Sequence, residues 1–192
     1  MAETAQPRRI TMTPGARRAL VAAERLFYER GIHAVGVDLI AAEAGVTKKT
    51  LYDRFGSKEQ IVVEYLAARD ERWRAYLAER LDGAGPPADR ILAVFDASES
   101  WAAEHSSKGC SMVNAHAEIS DPAHPAYGII TGQKRWMLDL FTDLARGLPV
   151  PDPERLGRTL MLLHEGALVA HGLRVFPAPI AEAREEARTL LP

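Results

Sequence analysis

The chain has 192 residues and a single cysteine, Cys110. One cysteine excludes an intramolecular disulfide and fits a reducing compartment, so the expected location is cytoplasmic. No apolar run approaches the roughly 20 residues that span a bilayer, and no membrane partner is expected. Arg8 and Arg9 are not followed by an apolar stretch, which argues against a secretory signal. Residues 1–12 are therefore expected to form a short, flexible polar arm. Alternating apolar–polar runs rich in Val, Ile and Thr are missing, so strands are not expected. There is no internal repeat and no low-complexity tract. Nucleophile motifs, glycine-rich phosphate loops and metal-ligand signatures are missing too. The chain is not expected to be an enzyme, and neither a cofactor nor a bound metal is expected.

What is present fits a soluble helical protein. Hydrophobic residues make up 47% and charged residues 26%, close to globular averages. The net charge of −2 is unevenly divided, at +3 over residues 1–57 and −5 over residues 58–192. A basic head on an acidic body points to a polyanion as the head's partner. Thr13-Pro14 is an N-cap followed by a favoured first-turn proline. Ala16, Ala19, Leu20, Ala23, Leu26 and Phe27 follow at helical spacing, and Gly31 stops the helix. Short helices are predicted near 38–44 and 48–54. A long one opens at the Ser57–Gln60 capping box. Breaks at 83–87, 106–109, 121–125, 149–153 and 177–179 delimit five more, giving an all-α architecture of about nine helices.

The stretch from Leu39 to Phe55 carries the chemistry. Ile40, Ala41 and Ala44 form an apolar face. Gly45 sits where a tight inter-helix turn needs positive φ, and Val46 and Leu51 point back to the core. That leaves Thr47, Lys48, Lys49, Thr50, Tyr52 and Asp53 on the outer face of the second short helix. Cations and hydroxyls there suit phosphates, and the longer side chains can reach base edges. A helix entering the major groove presents its N-terminal residues first, and its free amides and dipole favour phosphate.

The run from Gly31 through Ala34-Val-Gly-Val-Asp38, Ala44-Gly-Val-Thr-Lys-Lys-Thr-Leu-Tyr-Asp-Arg-Phe-Gly-Ser-Lys58-Glu59, with Ala22-Ala-Glu-Arg-Leu-Phe27 before it, resembles the TetR (tetracycline-repressor) family. The resemblance is strong over about residues 15–66. It implies an N-terminal three-helix helix-turn-helix head over 13–57 and a ligand-binding and dimerisation body over 58–192. It also implies a homodimer built by the last two helices of each subunit. By the same resemblance Lys48, Lys49 and Thr50 match base- or phosphate-facing positions. Tyr52 matches a phosphate-contacting tyrosine, and Lys58 a phosphate-contacting lysine. One departure stands out: Val35 and Gly36 occupy positions where many members carry a hydroxyl. The Gly36 amide replaces that phosphate contact only in part.

In the body, Gly109–Glu118 with Asp121-Pro122-x-His124-Pro125 resembles a segment of one subgroup of the same family. Phe95, Trp101, Met112, Trp136, Met137, Leu140, Leu168, His164 and His171 could line an effector pocket or simply form the core. Asn114, His116 and Glu118 are the expected polar contributors. His164 and His171 lie seven apart, and with His116 or Glu118 they could instead hold a metal, though no recognised ligand pattern is present. Cys110 reads as a small buried group ahead of a redox sensor. Leu156, Leu160, Leu163, Ala167 and Ala170, with Gly166 and Gly172 nearby, form the helix face expected to build the dimer. The expected function is a DNA-binding transcriptional repressor, released from double-stranded operator DNA by a small hydrophobic or amphipathic effector. An activator, or a DNA-binding protein without an effector, remains an alternative.

Overall fold

The computed structural model describes residues 9–192. Among them are nine helices: α1 (Pro14–Arg30), α2 (Val37–Ala44), α3 (Lys48–Phe55), α4 (Lys58–Asp82), α5 (Pro87–His105), α6 (Ser111–Glu118), α7 (Tyr127–Arg146), α8 (Pro153–Leu173) and α9 (Pro179–Thr189). No strand occurs among the described residues. The chain divides into two compact units. The first holds residues up to Glu71 together with Ser111–Gly132, and the second holds Arg72–Cys110 and Gln133–Pro192. α4 contributes to both units, and α6 lies with the first.

In the first unit, the side chain of Thr13 accepts the Ala16 amide of α1 at 3.3 Å. Pro14 takes a first-turn position, where its missing N–H would be unpaired in any case. Ala16, Ala19, Ala22 and Ala23 are buried along one face, and their small side chains let α2 and α3 pack on α1. Leu26 and Phe27 complete that face. α2 buries Ile40, Ala41 and Ala44. It ends at Gly45 in the left-handed region, with φ 62° and ψ 40°, which a Cβ-bearing residue reaches only at a cost. The Gly45 and Val46 amides donate back to Ala42 and Ala41, so the last carbonyls of α2 are satisfied. The turn is thereby tight enough to swing α3 across α2. α4 begins with Ser57 accepting the Gln60 amide at 3.2 Å, while the Gln60 side chain donates to Glu64 at 3.0 Å.

The expected flexible arm falls partly outside the described residues, which begin at Arg9. From there the chain is tied down. Arg9 Nε donates to Glu64 at 2.8 Å, and the Ile10 amide donates to the same carboxylate at 2.7 Å. Glu64 is fully buried, so these donors supply the pairing that a buried carboxylate requires.

The second unit is built on Leu77, Ile91, Phe95, Met137, Phe141 and Leu160, all almost fully buried. α9 packs on both α5 and α8. The Phe95 and Phe141 rings lie 5.8 Å apart, and each contacts the His164 ring. α8 starts at Asp152, which accepts the Arg155 amide at 2.8 Å, with Pro153 at the first turn. Part of the α8 face expected to build a dimer is turned into the chain's own core. Leu160 and Ala167 belong to the unit's own core, whereas Leu162, Val169 and Leu173 stand in solvent at 75%, 43% and 71% exposure. No helix among the described residues is long and apolar enough to cross a membrane.

Candidate nucleic-acid interface

α3 buries only Leu51 and Phe55. These two residues fix its rotation and turn the rest of its surface outward. Thr47 caps it, its hydroxyl accepting the Thr50 amide at 3.1 Å and lying 2.9 Å from the Thr50 hydroxyl. Both side chains are thereby ordered at the end of α3 that carries free amides and the positive pole of the helix dipole. Lys48 Nζ lies 2.9 Å from Asp38 of α2, and Lys49 Nζ lies 2.7 Å from Asp53 one turn on. The hydrogen bond and charge of Asp38 hold the Lys48 ammonium above its usual pKa. All four side chains are at least half exposed, so solvent screens both pairs and holds each only weakly. A phosphate can take over either ammonium at small cost. Tyr52 is 46% exposed, so its ring edge and hydroxyl stand open to a partner.

Behind α3, the α2 N-terminus opens at Gly36, an N-cap without a side-chain hydrogen bond. Nothing lies within 4 Å of where its Cβ would be. Val35 is fully buried. The position before Gly36 thus serves the core, which accounts physically for the missing hydroxyl there. Lys58, at the start of α4, reaches the His33 carbonyl at 3.5 Å. Arg18 of α1, which sequence reasoning did not single out, donates to the Ala44 carbonyl at 3.3 Å and so caps the C-terminus of α2. Asp38 was also missed as the holder of Lys48: ten residues separate the two, a spacing with no helical meaning.

The residues expected to line an effector pocket fall in different places. Met112, Asn114, His116 and Glu118 lie on α6 in the first unit, whereas Phe95, Trp101, Trp136, Met137, Leu140, His164, Leu168 and His171 lie in the second. Met112 is buried, and Asn114 and His116 are exposed. The Glu118 carboxylate is occupied by the amides of Ile32 and His33, at 2.8 and 2.6 Å. Phe95 and Met137 have no exposed surface and serve the core, and Leu168 is buried with them. Trp101, Trp136, Leu140 and His171 are half-buried. Trp101 meets Trp73 and Tyr76 edge-on, and Trp136 is covered by the Arg74 guanidinium at 4.2 Å.

Buried His164 leads into a polar chain. Its Nε2 lies 2.8 Å from the Ser98 hydroxyl, and Nδ1 lies 3.4 Å from Glu165. Glu165 in turn pairs with Lys134 at 2.8 Å, and the Lys134 ammonium donates to Cys110 Sγ at 3.1 Å. Burial pushes the Glu165 carboxyl up, but His164 and Lys134 outweigh it and hold it down at about 2. Cys110 is half-buried beside a cation. Among the described residues no three His, Cys, Asp or Glu side chains gather as metal ligands.

Comparison with known proteins agrees with this geometry. Residues 19–65 match the family model described as "Bacterial regulatory proteins, tetR family". The crystal structure of SCO4454, a TetR-family transcriptional regulator from Streptomyces coelicolor, superposes with a TM-score of 0.84. Its identity to this chain is 32%, covering 92% of this chain and 95% of that one. The transcriptional regulator BetI of Agrobacterium fabrum is 28% identical over 178 residues, covering 91% of this chain and 85% of BetI. The transcriptional activator FasR of Mycolicibacterium smegmatis is 30% identical over 103 residues, and the match spans about half of each protein: 54% of this chain and 47% of FasR. The chain belongs to the TetR family and is a helix-turn-helix, DNA-binding transcriptional regulator.

Proposed function

We propose that the protein is a repressor that works as a homodimer in the cytoplasm and is released from its operator by a small hydrophobic or amphipathic effector. The observation that carries the reading is the outer face of α3. It offers ordered hydroxyls at Thr47 and Thr50, weakly held ammonium groups at Lys48 and Lys49, and an exposed Tyr52. In this reading Lys49 and Thr50 address base edges, Asp53 orients Lys49, and Lys48, Tyr52, Lys58 and the Gly36 amide hold phosphates. Two such heads, presented by a dimer, enter successive major grooves of a near-palindromic site. The dimer forms through the exposed Leu162, Val169 and Leu173 face of α8, where a second copy removes apolar surface from water. The effector engages the half-buried Trp101, Trp136, Leu140 and His171, whose mix of aromatic area and a polar ring suits an amphipathic molecule.

Occupying an operator is enough to repress, whereas activation needs a further surface for the transcription machinery. The likeness to FasR, a transcriptional activator, favours the second reading. A reporter fused to the DNA upstream of the protein's own coding region separates the two. Deleting the gene is expected to raise reporter output; a fall in output establishes activation and overturns repression.

A further inference from the structure

The segment Ser111–Gly132 leaves the body's sequence and folds into the first compact unit. Within that unit α6 is bolted at both ends. At its start, the buried Arg69 of α4 donates to the Ser111 hydroxyl at 2.7 Å and pairs with Glu24 of α1 at 3.4 Å. At its end, Glu118 reaches the turn between α1 and α2. One carboxylate oxygen accepts the Ile32 amide at 2.8 Å, and the other accepts the His33 amide at 2.6 Å. Two successive backbone amides converging on one anion form a nest. Here the anion is supplied by a residue 85 positions away in the chain.

The turn is shaped around this carboxylate. Gly31 has φ 91°, and a Cβ there would fall 3.2 Å from Glu118 Oε1. The backbone conformation therefore calls for glycine, and a Cβ there would press on the carboxylate. His33 Nδ1 lies 3.7 Å from the same carboxylate, and the His33 carbonyl receives Lys58 Nζ at 3.5 Å. The turn thus carries Glu118 on its amides and Lys58 on its carbonyl. Three residues beyond His33 it delivers the uncapped Gly36 at the start of α2. Ile32 and Val35 are buried and anchor the turn to the core, and the Glu118 carboxylate adds fixed acceptors for two of its amides.

We infer that Glu118 is a positioning residue for DNA binding: by chelating the Ile32 and His33 amides it sets the turn that aims Lys58 and the Gly36 amide at the DNA backbone. The inference rests on the proposed assignment of Lys58 to a phosphate. A carboxylate spent this way is lost to any effector site. It acts on DNA only through the turn, because its own negative charge would repel phosphate.

The test is the salt dependence of binding by the full-length protein to a fluorescein-labelled duplex of random sequence, read by anisotropy between about 50 and about 200 mM salt. Removing one cation from a phosphate makes the slope of log K against log salt shallower by about 0.9. Lys58→Ala is expected to show that change for each head. Glu118→Ala is expected to show the same change, and the double variant no more than Lys58→Ala alone. Glu118→Gln keeps the side-chain length but sets an NH2 donor where one oxygen accepted an amide, so it holds only one of the two amides and is expected to give a slope between those of the parent and Glu118→Ala. Glu118→Asp, one methylene shorter, spans the two amides poorly and is expected to behave like Glu118→Ala, which covers the case in which the alanine variant fails to fold. A parent slope in both Glu118→Ala and Glu118→Asp overturns the inference, as do slope changes that add in the double variant. A parent slope in Lys58→Ala itself overturns the underlying phosphate assignment, and the inference with it.

Discussion

The outer faces of α3 and α8 carry opposite kinds of surface. α3 leaves Thr47, Lys48, Lys49 and Tyr52 in solvent and keeps only Leu51 and Phe55 for the core. α8 spends Gly157, Leu160, His164, Ala167 and Leu168 on the core and still leaves Leu162, Val169 and Leu173 exposed. Both helices therefore have a face that the fold of a single chain does not use. The difference lies in the partner each face accepts. Ammonium and hydroxyl groups are well solvated and lose little while waiting for a polyanion. Exposed leucines are poorly solvated, and burying each one against an apolar surface contributes about 1.5–3 kcal/mol. The first face suits a reversible partner and the second a lasting one.

The comparison breaks most severely on α8. Leu162→Asp combined with Leu173→Asp would place two carboxylates from each copy in the proposed dimer seam. Leaving charges buried and unpaired costs about 3–5 kcal/mol, so at micromolar concentration the variant is expected to sediment as a monomer and to lose tight operator binding. A variant that sediments as a dimer would move the dimer interface elsewhere. The same substitutions should leave the thermal stability of the isolated fold almost unchanged, because neither side chain belongs to the core.

A second prediction concerns the buried charges of the body. The Glu165 carboxyl, held at about 2 against an ordinary value of 4.5, ionises more readily in the folded chain than in the unfolded one. Its contribution to stability is therefore complete above about pH 4.5 and is lost as the pH falls toward 2. Glu165→Gln is expected to cost on the order of 3 kcal/mol at neutral pH and to flatten the acid limb of a stability–pH profile between those values. An unchanged acid limb would show that Glu165, held by His164 and Lys134, does not carry that pH dependence.

On α3 the expected effects are smaller. Lys49→Ala or Thr50→Ala should cost about 1–3 kcal/mol on the preferred sequence and relax preference at the bases each one addresses, as read by selection from a randomised duplex pool. Thr47→Ala removes the α3 cap and should lower unfolding stability by about 1 kcal/mol in a denaturant titration. A Thr47→Ala variant that loses DNA affinity without losing stability would show that the hydroxyl acts on DNA rather than on the helix.

Much of the fold was legible in the sequence because its punctuation is local. Thr13-Pro14, Gly45, Ser57 and Asp152-Pro153 each stop or start a helix through bonds that span three or four residues, and the helices begin and end at those marks. The outward face of α3 was legible for a related reason, since Val46 and Leu51 leave only one orientation for the rest. The face of α8 was not. Two apolar stripes run along it, one through Leu160 and Ala167 and the other through Leu162 and Val169, and periodicity alone does not say which one meets the chain's own core. The use of Glu118 was equally hidden, because its partners are backbone amides 85 and 86 residues away. Phe95 and Met137 look like pocket residues by type, yet they proved fully buried; residue type does not separate a wall from a core.

The central claim is that the outer face of α3 carries DNA recognition. It is tested most directly by titrating the parent, Tyr52→Ala and Lys49→Ala proteins against two duplexes in a mobility-shift experiment, one with the preferred site and one with that site scrambled. Tyr52→Ala is expected to weaken binding to both duplexes about tenfold, and Lys49→Ala to weaken the preferred one more than the scrambled one. If both variants bind both duplexes as the parent does, the DNA-binding surface is not the outer face of α3.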